Sequence, residues 1–384
     1  MMAKRVLYVS PCSERAGAEQ VTRLFANFHR RDRWIPEVYF FRPGPFVDEL
    51  RSDGIECHVS TLDSPMRFRD PGSVLRTARE INQIAQEREI SLFHSVMGYG
   101  HVVGGLASRL SGIPEVWFQH GPTGPLDWFT GRVPTRALFV NSRFTEYAQN
   151  RYRASTERTC LVYPPLDPRI DPKDFQTEAK VLREAWGIGA GDFAFGLVGR
   201  IARMKGQTDF VRAATPLLRE NPSVRLVLIG SQFGGAEPAY AEKLRRQIMK
   251  TGFAERIHLT GFLNRPQAAM LACDVIVNAT TSAEPFGLTL IESLQMGRPV
   301  IAPNRGGPAE IVTDGIEGTL YDPTEPGSLA RALSGMIRAK EDREGWESLR
   351  KRAEASVQSR FSIHVAIDRL ESEYDRIVSE EMEK

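Results

Sequence analysis

A chain of 384 residues is too long for one ordinary hydrophobic core, so its length favours two domains. The composition, with 41% hydrophobic and 26% charged residues and a formal net charge of +2, argues against a nucleic-acid binder that works through bulk charge. Four scattered cysteines without a C-x-x-C pair predict neither a zinc site nor a disulfide framework, which favours a reduced, cytoplasmic compartment. Because no apolar run is long enough for a signal peptide or a bilayer span, we expect a soluble protein that at most sits on a membrane surface.

Short β-rich apolar runs alternate with helical patterns along the whole chain, which is typical of βαβ units and parallel sheets. The first half contains six predicted strands, at residues 5–10, 36–41, 55–60, 91–96, 115–120 and 137–142. A segment with four prolines, residues 162–175, is interpreted as a linker. Six further strands are predicted at residues 193–200, 225–230, 256–261, 274–279, 299–303 and 318–321. Helical pattern continues from about residue 326 to the end.

This order of elements predicts an α/β protein with two doubly wound, Rossmann-like domains that face each other across a cleft. We place the N-terminal domain at residues 1–165 and the C-terminal domain at 176–361. Ligands of such folds bind at the carboxyl ends of the strands, so the shared cleft is the expected site.

Two glutamates, Glu284 and Glu292, flank an almost entirely apolar segment of the second domain. The segment predicts a buried helix over 286–296, with Pro285 in its first turn and Gly297 as its C-cap. A carboxylate at the edge of a buried surface needs a partner or a ligand with donors, and sugar hydroxyls are such donors. At roughly 1.5 Å per residue the two carboxylates lie on the order of 10 Å apart, with the anion-binding helix N-terminus between them. This order suits a sugar, a diphosphate and a ribose, while the alternative is a capping glutamate plus an ion-paired core glutamate.

Two cations follow the first strand of the second domain. Arg200 and Lys205 precede a helix at the carboxyl end of that strand, where they could meet a diphosphate, although solvated loop charges are the alternative. Together with helix amides they would stabilise the charge that grows on a departing nucleoside diphosphate. Further along, Gly306 and Gly307 predict a tight strand-to-helix turn that either approaches a ligand or is purely structural.

These segments together resemble the C-terminal signature of glycosyltransferase family 4, retaining enzymes of the GT-B fold, over about residues 193–333. The resemblance implies that Arg200 and Lys205 bind the diphosphate, that Glu284 holds donor-sugar hydroxyls and that Glu292 holds the ribose. The backbone amides that contact phosphate and sugar would be those of Phe286, Gly287 and Leu288. The residues that border the base would be Gly261, Phe262 and Leu263.

The N-terminal half resembles the same family more loosely. The family's first strand, glycine loop and helix correspond to residues 8–25, where Gly17 remains and Ala16 replaces the first glycine of the pair. A strand end reading VWFQHGP resembles the one that delivers a histidine, here His120, to the donor sugar. In the strand that carries a His-x-His in the family, only His94 is present. The alternative for either histidine is a structural role at a strand end.

A glycine pattern at residues 98–105, G-x-G-x-x-x-G, comes close to a dinucleotide fingerprint. The acidic residue that such a site needs about twenty positions further on is absent, because Gln119 and His120 stand there. This argues against a nicotinamide or flavin site.

The sequence therefore predicts a hexosyltransferase-type enzyme (EC 2.4) that transfers a sugar from a nucleoside-diphosphate donor to an acceptor hydroxyl with retention, in glycan, glycolipid or polysaccharide synthesis. No Asp-x-Asp occurs, so we expect no metal and no cofactor, with Arg200, Lys205 and the helix N-terminus in place of a metal clamp. The predicted catalytic residues are these two cations, Glu284 and His120. The alternatives are a phosphorylase or nucleotide-sugar hydrolase in the same cleft, and a non-catalytic nucleotide-sugar-binding protein.

The acceptor, a glycan or a lipid-linked glycan, is expected on the first domain. Three loops there, residues 29–34, 64–72 and 126–133, mix arginines with aromatics and could touch anionic lipid, although solvated loops are the alternative. This predicts a cytoplasmic protein, with peripheral contact at the inner membrane face as an option. The final helix, about 362–384, resembles the family's tail that crosses back onto the first domain.

Overall fold

The structure is a computed structural model that describes residues 3–62, 70–121, 124, 126–152, 158–232 and 237–383. The chain divides into two compact units. Unit 1 comprises Met1–Asp167 and Phe361–Lys384, and unit 2 comprises Pro168–Arg360. The boundary falls inside the proline-rich segment at 162–175, where a change of domain disturbs no regular element.

Unit 1 is built around a seven-stranded parallel sheet. Its strands are β1 Lys4–Ser10, β2 Trp34–Phe40, β3 Glu56–Val59, β4 Leu92–Val96, β5 Glu115–Gln119, β6 Ala137–Val140 and β7 Arg158–Leu161. They are arranged in the order β3-β2-β1-β4-β5-β6-β7. The helices are α1 Gly17–Phe28, α2 Pro45–Ser52, α3 Pro71–Glu87, α4 Met97–Ser111, α5 Asp127–Thr130 and α6 Arg143–Asn150, with α15 Ile363–Met382 at the end of the chain. The central strands are buried on both faces, which is why they read as continuous apolar runs.

Buried and half-buried carboxylates of helix α15 form hydrogen bonds and ion pairs with the first 34 residues of unit 1. Glu371, fully buried, accepts hydrogen bonds from His29 Nδ1 at 3.0 Å and from the backbone N–H of Arg30 at 2.9 Å. Asp375 accepts from Lys4 Nζ at 3.0 Å and from Trp34 Nε1 at 3.2 Å. The loop at 29–34, which the sequence suggested as a lipid-contacting loop, therefore packs against α15 through His29 and Trp34 at its two ends. Between them Arg30, Arg31 and Asp32 are exposed, and lipid contact by this loop stays a prediction.

His94 lies in the same buried cluster. Its Nδ1 is hydrogen-bonded to the hydroxyl of Tyr374, and its ring stacks on Tyr8 at 4.4 Å between centroids. Burial lowers the pKa of His94 well below its usual value, so the ring is neutral. This placement fits the structural alternative for His94.

Unit 2 has a six-stranded parallel sheet in the order β10-β9-β8-β11-β12-β13. Its strands are β8 Phe193–Val198, β9 Val224–Ile229, β10 Ile257–Leu259, β11 Val275–Val277, β12 Val300–Pro303 and β13 Gly318–Tyr321. Its helices are α7 Gln176–Ala185, α8 Gln207–Glu220, α9 Pro238–Thr251, α10 Gln267–Ala272, α11 Leu288–Gln295, α12 Pro308–Ile311, α13 Ser328–Glu341 and α14 Arg343–Arg360. One buried cluster joins the sheet to α8, α9 and α13. The two doubly wound, parallel-sheet domains confirm the predicted fold class.

Candidate functional site

The segment between β11 and α11 brings most of the predicted donor residues to one end of the second sheet. Because all six strands are parallel, the loops after β8, β11 and β12 leave the sheet at the same edge. Helix α11 begins at Leu288 and not at Phe286, because Gly287 has φ +119°, outside the helical region. Pro285 consequently precedes the helix and does not lie in its first turn, which corrects the expected boundary. Gly297, with φ +62°, follows the helix as expected of a C-terminal cap.

Glu284 is held by two partners, one from the loop after β8 and one from its own loop after β11. Lys205 Nζ lies 2.6 Å from its Oε1, and Asn278 Nδ2 donates to its Oε2 at 2.6 Å. The side chains of Lys205 and Glu284 are 18% and 12% exposed, so the ion pair is largely shielded from water. An ionised carboxylate has about four acceptor positions, so two protein donors leave room for ligand hydroxyls.

Lys205 closes a short 3₁₀ turn, Arg203–Lys205, that follows β8. The next residue, Gly206, has φ +69°, and a Cβ there would lie 1.8 Å from the carbonyl oxygen of Ala279. Only glycine allows this close approach, which brings the loop after β8 against the loop after β11. The approach positions Lys205 beside Glu284.

Arg200 lies at the same strand end in a different environment. Its side chain is exposed, its guanidinium donates weakly to Met204 Sδ at 3.6 Å, and it forms no ion pair with any described residue. Its carbonyl oxygen accepts a 2.8 Å hydrogen bond from the buried Gln207, whose amide oxygen accepts in turn from Tyr240. The backbone at Arg200 is thus fixed while its charge remains available to a ligand.

Glu292 lies in the middle of α11. Its side chain is half-buried, and its carboxylate makes no hydrogen bond or ion pair with another residue of the described ranges. Loss of hydration raises the pKa of its carboxyl to about 7. The expected ion-paired alternative therefore does not apply to Glu292, whereas Glu284 is ion-paired.

The turn after β12 packs directly on the Glu284 segment. The backbone N–H of Gly307 donates to the carbonyl oxygen of Glu284 at 2.8 Å. A Cβ at Gly307 would lie 2.3 Å from Phe286 Cα, and one at Gly306, where φ is +68°, would lie 2.7 Å from the Glu284 carbonyl oxygen. The two glycines thus allow one loop to position the other.

The remaining donor-side candidates follow β10. Gly261 has φ +73°, Leu263 is half-exposed, and the aromatic ring of Phe262 is 66% exposed. An exposed aromatic side chain at a strand end offers a face on which a base can stack.

The two candidates of unit 1 follow different strands. Gly17 is the exposed first residue of α1, which follows β1, and Ala16 stands at the N-cap without a side-chain hydrogen bond. His120 follows β5, stacks on Phe118 with 4.0 Å between ring centroids, and has a pKa lowered to about 3 by burial. His120 is therefore a neutral imidazole at physiological pH.

Two positioning residues were missed from the sequence. Asn278, which orients Glu284, lies within the predicted strand at 274–279, and Gln207, which fixes Arg200, opens a buried helix. Asn278 directly follows an apolar strand, and Gln207 is the first residue of a largely buried helix. A polar residue at such a position usually has a hydrogen-bond partner, and this could have identified both residues from the sequence.

Unit 2 also contains a cavity of about 700 Å³ beside α8 and α13. Its lining includes Arg305, Tyr321 and Leu329 and none of the predicted donor residues. Among the described residues, no three His, Cys, Asp or Glu side chains are grouped so that they could hold a metal ion. Within the same ranges, no helix has both the length and the apolarity to cross a membrane.

Comparison with known proteins gives a family match for the second unit. Residues 178–353 match the model of glycosyl transferases group 1. D-inositol 3-phosphate glycosyltransferase 2 of Catenulispora acidiphila is 32% identical over 197 residues, which are 49% of this chain and 44% of that protein. The matches to the corresponding proteins of Paenarthrobacter aurescens and Mycobacterium marinum cover 47% of each, so the chain spans about half the length of these relatives. Alpha-D-kanosaminyltransferase of Streptomyces kanamyceticus is 28% identical over 74% of this chain and 73% of its own.

Solved structures resemble the chain over nearly its full length. Anabaena HepE in complex with UDP has a TM-score of 0.82 at 24% identity and covers 98% of this chain and 100% of its own. Its complex with UDP-glucose has a TM-score of 0.81 at 25% identity, with 98% and 99% covered. Sucrose-phosphate synthase of Thermosynechococcus elongatus has a TM-score of 0.78 at 17% identity, with 98% and 99% covered. The chain therefore has the GT-B fold of glycosyltransferases, and its second unit carries the match to glycosyl transferases group 1.

Proposed function

We propose that this protein is a retaining glycosyltransferase of family 4, which moves a sugar from a nucleoside-diphosphate donor to an acceptor hydroxyl. The observation that carries the proposal is the Lys205–Glu284 pair at 2.6 Å beside the start of α11, with Arg200 on the same sheet edge. Cations and a helix N-terminus suit a diphosphate, and a carboxylate beside them suits sugar hydroxyls.

The donor would be held in three parts. Arg200 and Lys205 would bind the diphosphate together with the backbone amides of Phe286, Gly287 and Leu288. Glu284 would accept hydrogen bonds from the sugar, and Glu292, which has no partner among the described residues, would accept them from the ribose. The base would lie beside the segment of Gly261, Phe262 and Leu263, and Gly17 would allow close approach of the backbone to the donor.

The reaction needs no protein nucleophile in this proposal. The bond between the anomeric carbon and the diphosphate oxygen breaks, and the acceptor oxygen bonds to the same face of that carbon. The acceptor's proton passes to the departing phosphate oxygen. Arg200 and Lys205 stabilise the negative charge that develops there, and His120, held neutral by burial, would hydrogen-bond the sugar. We propose that neither metal nor cofactor takes part.

UDP-glucose is the first donor to test, because the similar HepE structures contain UDP and UDP-glucose. The acceptor would be a glycan or a lipid-linked glycan, and the protein would act in glycan, glycolipid or polysaccharide synthesis on the cytoplasmic side of a membrane.

The test is an assay of donor, acceptor panel and enzyme, with product detected by mass spectrometry and its anomeric configuration by NMR. We expect a glycosylated product with the donor's configuration, lost in Lys205→Ala and kept in Arg203→Ala, a neighbouring cation outside the proposed site. Release of free sugar alone would indicate a hydrolase, and release of sugar phosphate a phosphorylase. Binding without turnover for every UDP-, GDP- and ADP-sugar would indicate a binding protein. Full turnover in Lys205→Ala would refute the site.

A further inference from the structure

Exposed aromatic side chains of unit 1 lie on and around α5 and α6. Trp128 is 48%, Phe129 64% and Tyr147 62% exposed, and the neighbouring Leu126 is 58% exposed. An exposed aromatic ring does not gain the free energy that burial of its apolar surface would provide. A group of such rings therefore marks a surface that binds a partner or a membrane.

Arginines connect these rings into one surface. The guanidinium of Arg132 lies 3.7 Å from the centroid of the Trp128 ring and also donates to the carbonyl oxygen of Tyr152, just beyond α6, at 3.4 Å. Trp128 and Phe129 are in edge contact with 4.8 Å between centroids. Just after α6, Arg151 lies over the ring of Tyr147 at 5.0 Å. The two helices thus present rings and cations side by side.

The charge of this surface is positive. Arg143 and Tyr147 are four residues apart on one face of α6, and Arg151, the residue that follows the helix, continues this spacing. An acid on the same helix, Glu146, lies 3.7 Å from Arg143. Asp127 lies within α5 but is buried, where it accepts hydrogen bonds from Gln149 at 2.9 Å and from Gln119 at 3.2 Å. Its charge is therefore directed into the protein and not toward the surface.

We propose that this surface, named here the aromatic–arginine surface and formed by Leu126, Trp128, Phe129, Arg132, Tyr147 and Arg151, docks on a bilayer that contains anionic lipid. Amphipathic rings insert at the headgroup level, and arginines pair with lipid phosphates. Each arginine already lies against a ring, so the cations and the apolar groups reach the same depth. The inference goes beyond the proposed function, because it holds whatever the sugar donor is. In the loop at 64–72, which the sequence also suggested for lipid contact, residues 64–69 lie outside the described part of the chain.

The experiment is co-sedimentation of the full chain with vesicles of phosphatidylcholine, alone or with about a third phosphatidylglycerol, at low and at high salt. We expect binding to the anionic vesicles that weakens as salt rises, since screening shortens the range of the charges. Trp128→Ala/Phe129→Ala is expected to weaken partitioning more than tenfold, and Arg132→Gln or Arg151→Gln about fivefold each. The matched control is Met249→Ala/Arg246→Gln, an exposed apolar residue and an exposed arginine of unit 2, which is expected to bind like the wild type.

Two readouts separate this proposal from the proposed function. Donor binding by the double aromatic variant, followed as a thermal shift with UDP-glucose, is expected to be unchanged, and Lys205→Ala is expected to bind vesicles normally. Absence of wild-type binding to anionic vesicles at low salt would overturn the inference, as would equal binding by the double aromatic variant. A concentration-dependent dimer that this variant abolishes, without vesicle binding, would assign the surface to self-association instead.

Discussion

The ammonium group of Lys205 and the carboxylate of Glu284 lie 2.6 Å apart although 79 positions separate them in the chain. The pair connects the loop after β8 to the segment that leads into α11. Its two side chains are mostly shielded from water, so each charge depends on the other for compensation. The same contact that positions two proposed donor residues therefore also contributes to the stability of unit 2.

This contact predicts strong coupling in a double-mutant cycle of Lys205→Met and Glu284→Gln. Each single variant leaves a half-buried charge without its partner, and we expect a loss of about 1.5–3 kcal/mol in the free energy of unfolding. The double variant should lose clearly less than the sum of the two, because both charges are gone. Urea unfolding measures all four corners of the cycle.

The matched control is the Arg212–Asp209 pair on α8, in which the arginine side chain is 74% exposed. Removing Arg212 should change the free energy of unfolding by less than about 1 kcal/mol, since water screens an exposed pair. Additive losses in the Lys205–Glu284 cycle would show that the two charges do not stabilise each other.

Glu292 predicts opposite effects of pH on stability and on donor binding. The pKa of its carboxyl is raised from 4.5 to about 7, so between these values the folded protein holds a proton that the unfolded chain has lost. The free energy of unfolding should therefore fall as pH rises through this range, by at most ~3 kcal/mol and by less because the residue is partly exposed. Glu292→Gln should lack this fall and be more stable than the wild type at pH 8.

Donor affinity should depend on pH in the other direction. The ionised carboxylate accepts hydrogen bonds from ribose hydroxyls better than the acid does, so UDP-glucose binding by the wild type should weaken below about pH 7, approaching tenfold per pH unit. Calorimetric titrations at about pH 6, 7 and 8 measure how UDP-glucose affinity changes with pH. The Glu292→Gln variant should bind UDP-glucose weakly at all three values, with little dependence on pH. Parallel pH profiles for the two proteins would contradict the proposed role of Glu292.

The sheets could be predicted from the sequence because buried parallel strands read as apolar runs. All twelve predicted strands are present, whereas β7 was missed, since Arg158–Leu161 is short and its first residue is exposed. Helices α5 and α6 were missed for a similar reason, because their exposed faces carry the aromatics that would ordinarily mark a core. The local pattern of apolar residues was therefore sufficient to predict the two sheets.

The site could be predicted only as a set of residues and not as a set of contacts. The sequence placed Glu284 and Lys205 near the same strand ends, but it treated the glutamate as an acceptor for a ligand or as a helix cap. In the structure each of its oxygens already accepts one hydrogen bond from the protein, one from Lys205 and one from Asn278. The Lys205–Glu284 pair depends on the close approach of two loops at Gly206 and Ala279. These residues are far apart in the sequence, so a local sequence pattern could not predict the contact.

We expect a substitution at Gly307 to weaken donor binding by displacing the backbone of the segment before α11. A Cβ there would lie 2.3 Å from Phe286 Cα and 2.5 Å from the Pro285 carbonyl oxygen, and backbone atoms cannot rotate out of the way. Gly307→Ala should therefore displace the segment before α11, with a loss of about 1–3 kcal/mol in the free energy of unfolding. UDP-glucose affinity should fall more than tenfold, measured by calorimetry.

Gly335→Ala is the matched control for this substitution. Gly335 lies inside α13, and a Cβ there would meet no heavy atom within 4 Å. Alanine favours a helix over glycine by about 1 kcal/mol, so this variant should be as stable as the wild type or more so, with unchanged donor affinity. A donor affinity of Gly307→Ala equal to that of the wild type would show that the turn after β12 does not position the segment before α11 for donor binding.

Glu371 predicts how strongly helix α15 is held to unit 1. Its buried carboxylate accepts from His29 Nδ1 and from the backbone N–H of Arg30, and Tyr8 donates in turn to His29 Nε2 at 2.7 Å. Burial lowers the pKa of His29, so the ring is neutral with its proton on Nδ1, which makes Glu371 the acceptor that this donor needs. Glu371→Ala should therefore cost about 3–5 kcal/mol of the free energy of unfolding, because the buried His29 ring and the backbone N–H of Arg30 lose their acceptor at once.

Glu371→Gln should lose less, since its amide oxygen can still accept one of these hydrogen bonds. Glu380→Ala on the same helix, where the side chain is 55% exposed and paired with Arg376, should change the free energy of unfolding by less than about 1 kcal/mol. Urea unfolding of the three variants tests this order, in which Glu371→Ala is the least stable, Glu371→Gln is intermediate and Glu380→Ala is close to the wild type. If Glu371→Ala lost no more free energy of unfolding than Glu380→Ala, the hydrogen bonds of Glu371 would not be what holds α15 on unit 1. The apolar contacts of Leu370 and Ile377 would then be responsible.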